Sequence, residues 1–396
     1  KITIVVFFFV CGIILRAKGW HNLRQLTLPH ERGGSFGITK DVYAALKEET
    51  EEFLKGEEFL NSHEFARKVM LTHEIKANNT LEGIRDDITL IQSVINDASK
   101  VKDEKQRRQI INLYEGYKYV LSHDDITEES LNELYRILSN GLLSPRDLSR
   151  MGKYYREDDV YILFNGRMDN TMDKGVAPSL IEELVQSYLN FINEPFNEEC
   201  MTDYFIKSCI MHFYLEYIHP YFDVNSRTTR TVALWYLMKN ACYPFIIFNR
   251  GITLDKTAYE RMLVDTKKSK DISYFIRYML ARTKRELEKE YLIHQIAESS
   301  PKLSVLDYQT LAYFLEMKGE TNVLSFTSLF NFYNTHKRPK ELYETMIDPL
   351  IQKGVLVVER TTGKSMFESK PNEVICISKE RYTPGEQKIK RLYTGK

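Results

Sequence analysis

His219-Pro220-Tyr221-Phe222-Asp223-Val224-Asn225-Ser226-Arg227-Thr228-Thr229-Arg230 is the stretch on which the reading of this chain turns. Before it, Ile206, Cys209, Ile210, Phe213 and Tyr217 recur at three- and four-residue spacing and mark one apolar face of a helix. Pro220 biases His219 away from helical geometry, so that helix is expected to end there. From Arg227 to Asn240 a second helix is expected, with Val232, Tyr236 and Leu237 at core spacing. The stretch is therefore helix, short loop, helix.

That arrangement suits polyphosphate chemistry. A loop that leads into a helix gathers backbone N–H groups and a helix N-terminus at one spot, where an anion is stabilised. Arg227 and Arg230 fall in the first turn, where cations oppose the helix dipole and an anionic ligand would explain them. Their guanidinium groups can hold phosphate oxygens in bidentate fashion. Asp223 is a hard oxygen ligand able to hold Mg²⁺ against phosphates. His219, at the mouth of the loop, can take a proton from an incoming hydroxyl. Without an anion the same residues read as a satisfied histidine and surface arginines.

The stretch resembles the signature loop of the Fic family: His-Pro-Phe, an acid, Gly-Asn-Gly-Arg, two residues and a second Arg. His219, Pro220, Asp223, Asn225, Arg227 and Arg230 match in order and spacing. Val224 and Ser226 stand where the family has its two glycines. Relatives with Lys at the second position use the nucleotide the other way round and transfer phosphate, a charge that Ser226 does not supply. The resemblance implies a mainly α fold: a Fic-type helical bundle with a small β-hairpin flap. It implies transfer of AMP from Mg-ATP to a Ser, Thr or Tyr hydroxyl of a target protein or of the chain itself. His219 would be the general base and Asp223 the Mg²⁺ ligand. Asn225 would hold the α-phosphate, Arg227 with the loop N–H groups the β-phosphate, and Arg230 the γ-phosphate. Val224, Ser226 and Thr228 complete the phosphate-binding set, and Tyr259 matches a family tyrosine that lies against the nucleobase.

Two further segments enter through the same resemblance. Gly152-Lys153-Tyr154-Tyr155-Arg156, followed by β-prone Val160-Tyr161-Ile162-Leu163 and the turn dipeptide Asn165-Gly166, is similar to the flap that pairs with an extended target segment. Asn78-Asn79-Thr80-Leu81-Glu82-Gly83 resembles an inhibitory helix, with Asn78 in place of Ser or Thr. There Glu82 would pair with Arg230 and deny it to the nucleotide. Alternatives stay open: removal of AMP, transfer of another phosphate-containing group, or a DNA-binding regulator with a degenerate Fic core.

The rest of the chain sets limits. It has 396 residues, enough for two or three domains, with 43% apolar and 28% charged residues. Lys+Arg and Asp+Glu are both 55, so net charge gives no argument for a nucleic-acid or membrane partner. Five scattered cysteines fit neither a disulfide scaffold nor a zinc site and suit a reducing compartment. Ile2 to Leu15 is apolar and has the length of a signal-peptide core, but no small-x-small cleavage site follows, so a cytoplasmic location is expected. Residues 1–37 read as an apolar then irregular segment, 38–120 as helical with the inhibitory motif, and 121–295 as the catalytic core. Residues 302–380 read as three helices and a hairpin, a winged-helix-like α+β domain that is a candidate DNA contact, and 381–396 as a basic tail. No membrane partner is expected, and homo-oligomers are compatible with the sequence.

Overall fold

The computed structural model describes residues 23–54, 58–62, 70–162, 173–195, 200–300, 302–364 and 371–378. The apolar run Ile2–Leu15, the flap positions Leu163, Asn165 and Gly166, and the basic tail lie outside these residues. The first elements are β1 (Leu23–Pro29), β2 (Ser35–Thr39), α1 (Lys40–Leu54), α2 (Ile75–Leu81), α3 (Ile88–Asn96), α4 (Glu104–Ser122), α5 (Glu128–Ser139) and α6 (Pro145–Leu148). There follow β3 (Tyr161–Ile162), β4 (Asp173–Lys174), α7 (Pro178–Asn193), α8 (Met201–Ile218), α9 (Asn225–Lys239), α10 (Phe248–Thr253), α11 (Lys256–Ser269) and α12 (Ser273–Glu298). The C-terminal elements are α13 (Val305–Glu316), β5 (Glu320–Thr321), α14 (Val323–Tyr333), α15 (Pro339–Leu342), α16 (Asp348–Gln352), β6 (Leu356–Lys364) and β7 (Pro371–Ile377). The fold is mainly helical, as the resemblance implied.

The chain divides into two compact units. One takes the described residues before Phe59 with Glu115–Ile246 and Asp255–Ala281. The other takes Phe59–Tyr114, Ile247–Leu254 and the described residues from Arg282 onward.

At the centre of the first unit lies α8. It is buried on every side, its apolar residues from Phe205 and Ile206 to Tyr217 and Ile218 interspersed with the buried polar Lys207, His212 and Glu216. Helices α1, α7, α9 and α11 pack against it. Asp203 anchors its start, accepting from the Cys200 N–H at 3.2 Å and pairing with Lys47 at 3.3 Å. The aromatic side of α8 is closed by β1 and β2, which corrects the expectation of an irregular segment up to residue 37. These strands pair antiparallel, with Arg24 opposite Ile38 and Pro29 opposite Ser35. Leu26, Leu28, Phe36 and Ile38 point inward at alternate positions, and Phe36 meets Phe213, Tyr214 and Tyr217. The Gly-rich stretch is the turn of this hairpin, with Gly33 and Gly34 at φ 79° and 73°.

In the second unit, α2 ends in a Schellman motif. Gly83 takes φ 79°, its N–H donates to Thr80 O at 3.0 Å, and the Ile84 N–H donates to Asn79 O at 2.9 Å. The helix therefore stops there, and the next begins at Ile88. The C-terminal segment has the expected helices and hairpin and one strand more: β5 pairs with β7, giving the antiparallel order β5-β7-β6. The last of the three expected helices is interrupted by a π-helical turn at Tyr343–Ile347, just before Pro349, which cannot donate to the helical ladder. Among the described residues no helix is long and apolar enough to cross a membrane.

Candidate active site

The His219–Arg230 stretch folds as helix, loop, helix within the first unit, and the loop is held by its own residues. His219 caps α8 in the left-handed region, φ 52° and ψ 60°, and its N–H still bonds Leu215 O at 3.1 Å. Arg156, almost wholly buried, pins the turn from outside. Its Nε donates to His219 O at 2.9 Å, its backbone N–H to Pro220 O at 3.0 Å, and Nη2 to Val176 O at 2.6 Å. Tyr221 is inserted into the core, stacked on Tyr135 at 3.6 Å with its hydroxyl 3.2 Å from Asn132 Oδ1. The Asn225 amide closes the loop: Oδ1 accepts from the Tyr221 N–H at 2.9 Å and Nδ2 donates to Tyr221 O at 2.7 Å. Both ends of that amide thus bond the loop backbone, and Nδ2 keeps a second N–H, the donor that the resemblance sets on the α-phosphate.

Val224 begins α9 at φ 65°, a region costly for a β-branched residue. It stands where the Fic signature has glycine, and the backbone has kept the glycine conformation. Asp223 accepts from the Val224 N–H at 2.6 Å and leaves its side chain 58% exposed at the mouth of the site.

His219 carries a pKa below the usual histidine value. Burial is the main cause; Glu216 and Asp223 push the other way, and Arg156 adds to the lowering. The ring is therefore neutral near pH 7, as a general base must be. Arg227 is buried in the first turn of α9. Its Nη2 lies 3.8 Å from Asp223, while Nε and Nη1 have no partner. Buried donors on two guanidinium nitrogens beside a helix N-terminus suit an anion. Arg230 and Thr228 lie on the same helix and are buried. Thr228 is used internally, with both its N–H and its hydroxyl on Val224 O. These residues fit a polyphosphate. Among the described residues no three His, Cys, Asp or Glu side chains gather to hold a metal, so Mg²⁺ here would rely on Asp223 and substrate oxygens.

Other expected residues fall as follows. Tyr259, on α11, is buried with its hydroxyl 2.7 Å from His212 Nε2, in the core beside α8. Tyr161 and Ile162 form β3 and pair with Lys174 and Asp173 of β4, and Val160 O accepts from the Gly175 N–H at 3.1 Å. Tyr161 is 61% exposed, so the hairpin offers a free apolar side chain. Gly152–Arg156 forms a separate turn, closed by the Gly152 N–H on Tyr155 O at 2.8 Å. Glu82 sits at the C-cap of α2 in the second unit.

The sequence reading missed Arg156 and Glu216. Arg156 had no signal beyond its place in the flap-like segment. Glu216 did: it lies three residues before His219, the spacing that brings two side chains onto one helix face.

The site thus lies on a short loop between two central helices of a helical bundle. Residues 125–237 match the Fic/DOC family, so the chain carries a Fic/DOC domain, the mark of a transferase-type enzyme family. Among solved structures, a Fic family protein from Desulfovibrio desulfuricans superposes with a TM-score of 0.53 at 17% identity, covering 86% of this chain and 97% of that one. A portion of Fic-1 from C. elegans gives a TM-score of 0.44 at 16% identity, covering 64% of this chain and 70% of that chain.

Proposed function

We propose that this chain transfers AMP from Mg-ATP to a Ser, Thr or Tyr hydroxyl of a protein, itself included, and that Glu82 restrains it by pairing with Arg230. Arg227 carries the reading: a buried cation with Nε and Nη1 unpartnered at the N-terminus of α9, across the loop from a neutral His219 at the end of α8. In the reaction the acceptor oxygen bonds the α-phosphorus as the bond to pyrophosphate breaks. The acceptor proton passes to a ring nitrogen of His219. Arg227, Arg230 and the loop N–H groups balance the phosphate charge, and positioning with charge neutralisation does most of the work. Mg²⁺ held by Asp223 would neutralise the leaving pyrophosphate. The β3–β4 hairpin would present the acceptor segment by strand pairing.

The test is intact-mass measurement and α-labelled ATP incorporation for wild type, Glu82→Gly and His219→Ala. We expect a gain of one AMP that is larger in Glu82→Gly and absent in His219→Ala. Full labelling in His219→Ala refutes the mechanism. Label carried from the γ-phosphate alone, or a mass gain from another donor, reassigns the transferred group. For the C-terminal helices and β5-β7-β6 sheet we propose a DNA contact, tested by salt-dependent binding to duplex DNA.

A further inference from the structure

Ser226 occupies the second glycine position of the signature, and its hydroxyl is committed. Ser226 Oγ donates to Glu216 Oε1 at 2.7 Å, tying the first turn of α9 to the last turn of α8. Glu216 is 7% exposed, and its Oε2 is buried without a donor. A half-satisfied buried carboxylate is expensive to keep and calls for a reason. One turn on lies His219, within reach of that charge. His219 Nδ1 is 3.4 Å from Glu216 O, its hydrogen-bond acceptor, and 3.7 Å from Glu216 Oε1, an ion-pair distance. The other charged groups facing His219 cannot replace them. Arg156 approaches the His219 backbone oxygen and is a donor only, and Asp223 leaves its side chain 58% exposed.

Resting on the transfer reading above, we infer that Glu216, clamped by Ser226, is a positioning residue that holds the Nδ1 proton of His219 with its backbone oxygen and the charge of its carboxylate, and leaves Nε2 bare for the acceptor hydroxyl. The hydrogen bond at one ring nitrogen decides which nitrogen is left to act. As the acceptor oxygen bonds the α-phosphorus and pyrophosphate departs, the hydroxyl proton moves to Nε2. The imidazolium so formed faces the Glu216 carboxylate. Ser226 is then half of a device that the glycine of the signature could not supply.

The test reads the ring nitrogens of His219 directly, in the full chain with isotope-labelled histidine, assigned by their loss in His219→Ala. Wild type should show a protonated Nδ1 and a bare Nε2. Glu216→Ala should give a mixture of tautomers and an AMP-transfer rate about 10- to 100-fold lower, a part of what a general base supplies, with KM for ATP unchanged. Glu216→Gln, which keeps an acceptor oxygen but not the charge, should restore the wild-type tautomer in part. Ser226→Ala, a milder change that tests the clamp should Glu216→Ala not fold, should move the nitrogens the same way by less. A bare Nδ1 in wild type, or ring nitrogens unmoved in both Glu216→Ala and Ser226→Ala, overturns the inference. The two readings fail separately. Nitrogens that move as expected with no AMP transfer by any variant leave the Glu216–His219 pairing standing and remove the reaction. AMP transfer with unmoved nitrogens does the reverse.

Discussion

Arg227→Met tests the anion site without touching the proton path. Arg227 is buried, and two of its nitrogens, Nε and Nη1, have no partner. An unsatisfied buried donor costs about 1–3 kcal/mol, so the pair puts a penalty of about 2 kcal/mol or more on the unliganded fold. Its one ion pair, with a largely exposed Asp223 at 3.8 Å, returns little, since exposed partners contribute about 0–1 kcal/mol. Methionine keeps most of the stem and removes the charge. Unliganded Arg227→Met should therefore unfold at higher temperature than wild type, by the equivalent of about 1–3 kcal/mol. ATP should reverse that order. At a nucleotide concentration near 100 Kd the wild type gains about 2.7 kcal/mol from binding, and the variant should gain almost none. Thermal unfolding with and without Mg-ATP measures both. A variant less stable than wild type without nucleotide, or one that keeps the full ATP shift, would refute the reasoning.

Other outcomes follow from the same geometry. Because Val224 sits at φ 65°, Val224→Gly should be more stable than Val224→Ala by about 0.5–1 kcal/mol in urea unfolding, inverting the usual order of Ala over Gly. Since burial holds His219 below its ordinary pKa, the AMP-transfer rate should stay level as pH falls to about 6.5 and drop only below it; a midpoint above that value contradicts the neutral ring. His212, buried on α8, is held down to about 3, so the unfolded chain takes up a proton that the folded chain refuses. Stability should decline as pH falls from about 6.5 toward 3, and His212→Gln should flatten that slope in denaturant titrations. A Cβ on Gly251 would stand 2.7 Å from Arg282 O, so Gly251→Ala should destabilise the second unit by about 1–3 kcal/mol, seen as a lower unfolding midpoint.

The helical bundle was legible because Ile206, Cys209, Ile210, Phe213 and Tyr217 recur at helical spacing along α8 and Pro220 marks the break after it. The hairpin of β1 and β2 was not, although Leu26 and Leu28 alternate with polar residues. Its glycines read as irregular chain when they are the turn, and what fixes the strands is the aromatic face of α8, which lies far away in sequence. At the site, side-chain chemistry was readable and geometry was not. Nothing local says that the Asn225 amide turns back onto Tyr221, or that Arg156 reaches the His219 carbonyl from sixty-odd residues away. Ser226 was read against a pattern of glycines, where only the packing of α8 on α9 shows a hydroxyl with a partner.

The left-handed turn at His219 joins two helix ends of opposite polarity. Helix α8 arrives with its carbonyl end, where negative partial charge collects, and α9 departs with its amide end, where positive charge collects. A proton acquired at His219 is thus welcomed by one pole, and an anion beside Arg227 by the other. The loop acts as a small electrical junction: base and acid functions are kept apart along the backbone before any side chain is considered. A circular permutation or insertion in this loop would therefore cost more than local order, because it would separate the two poles.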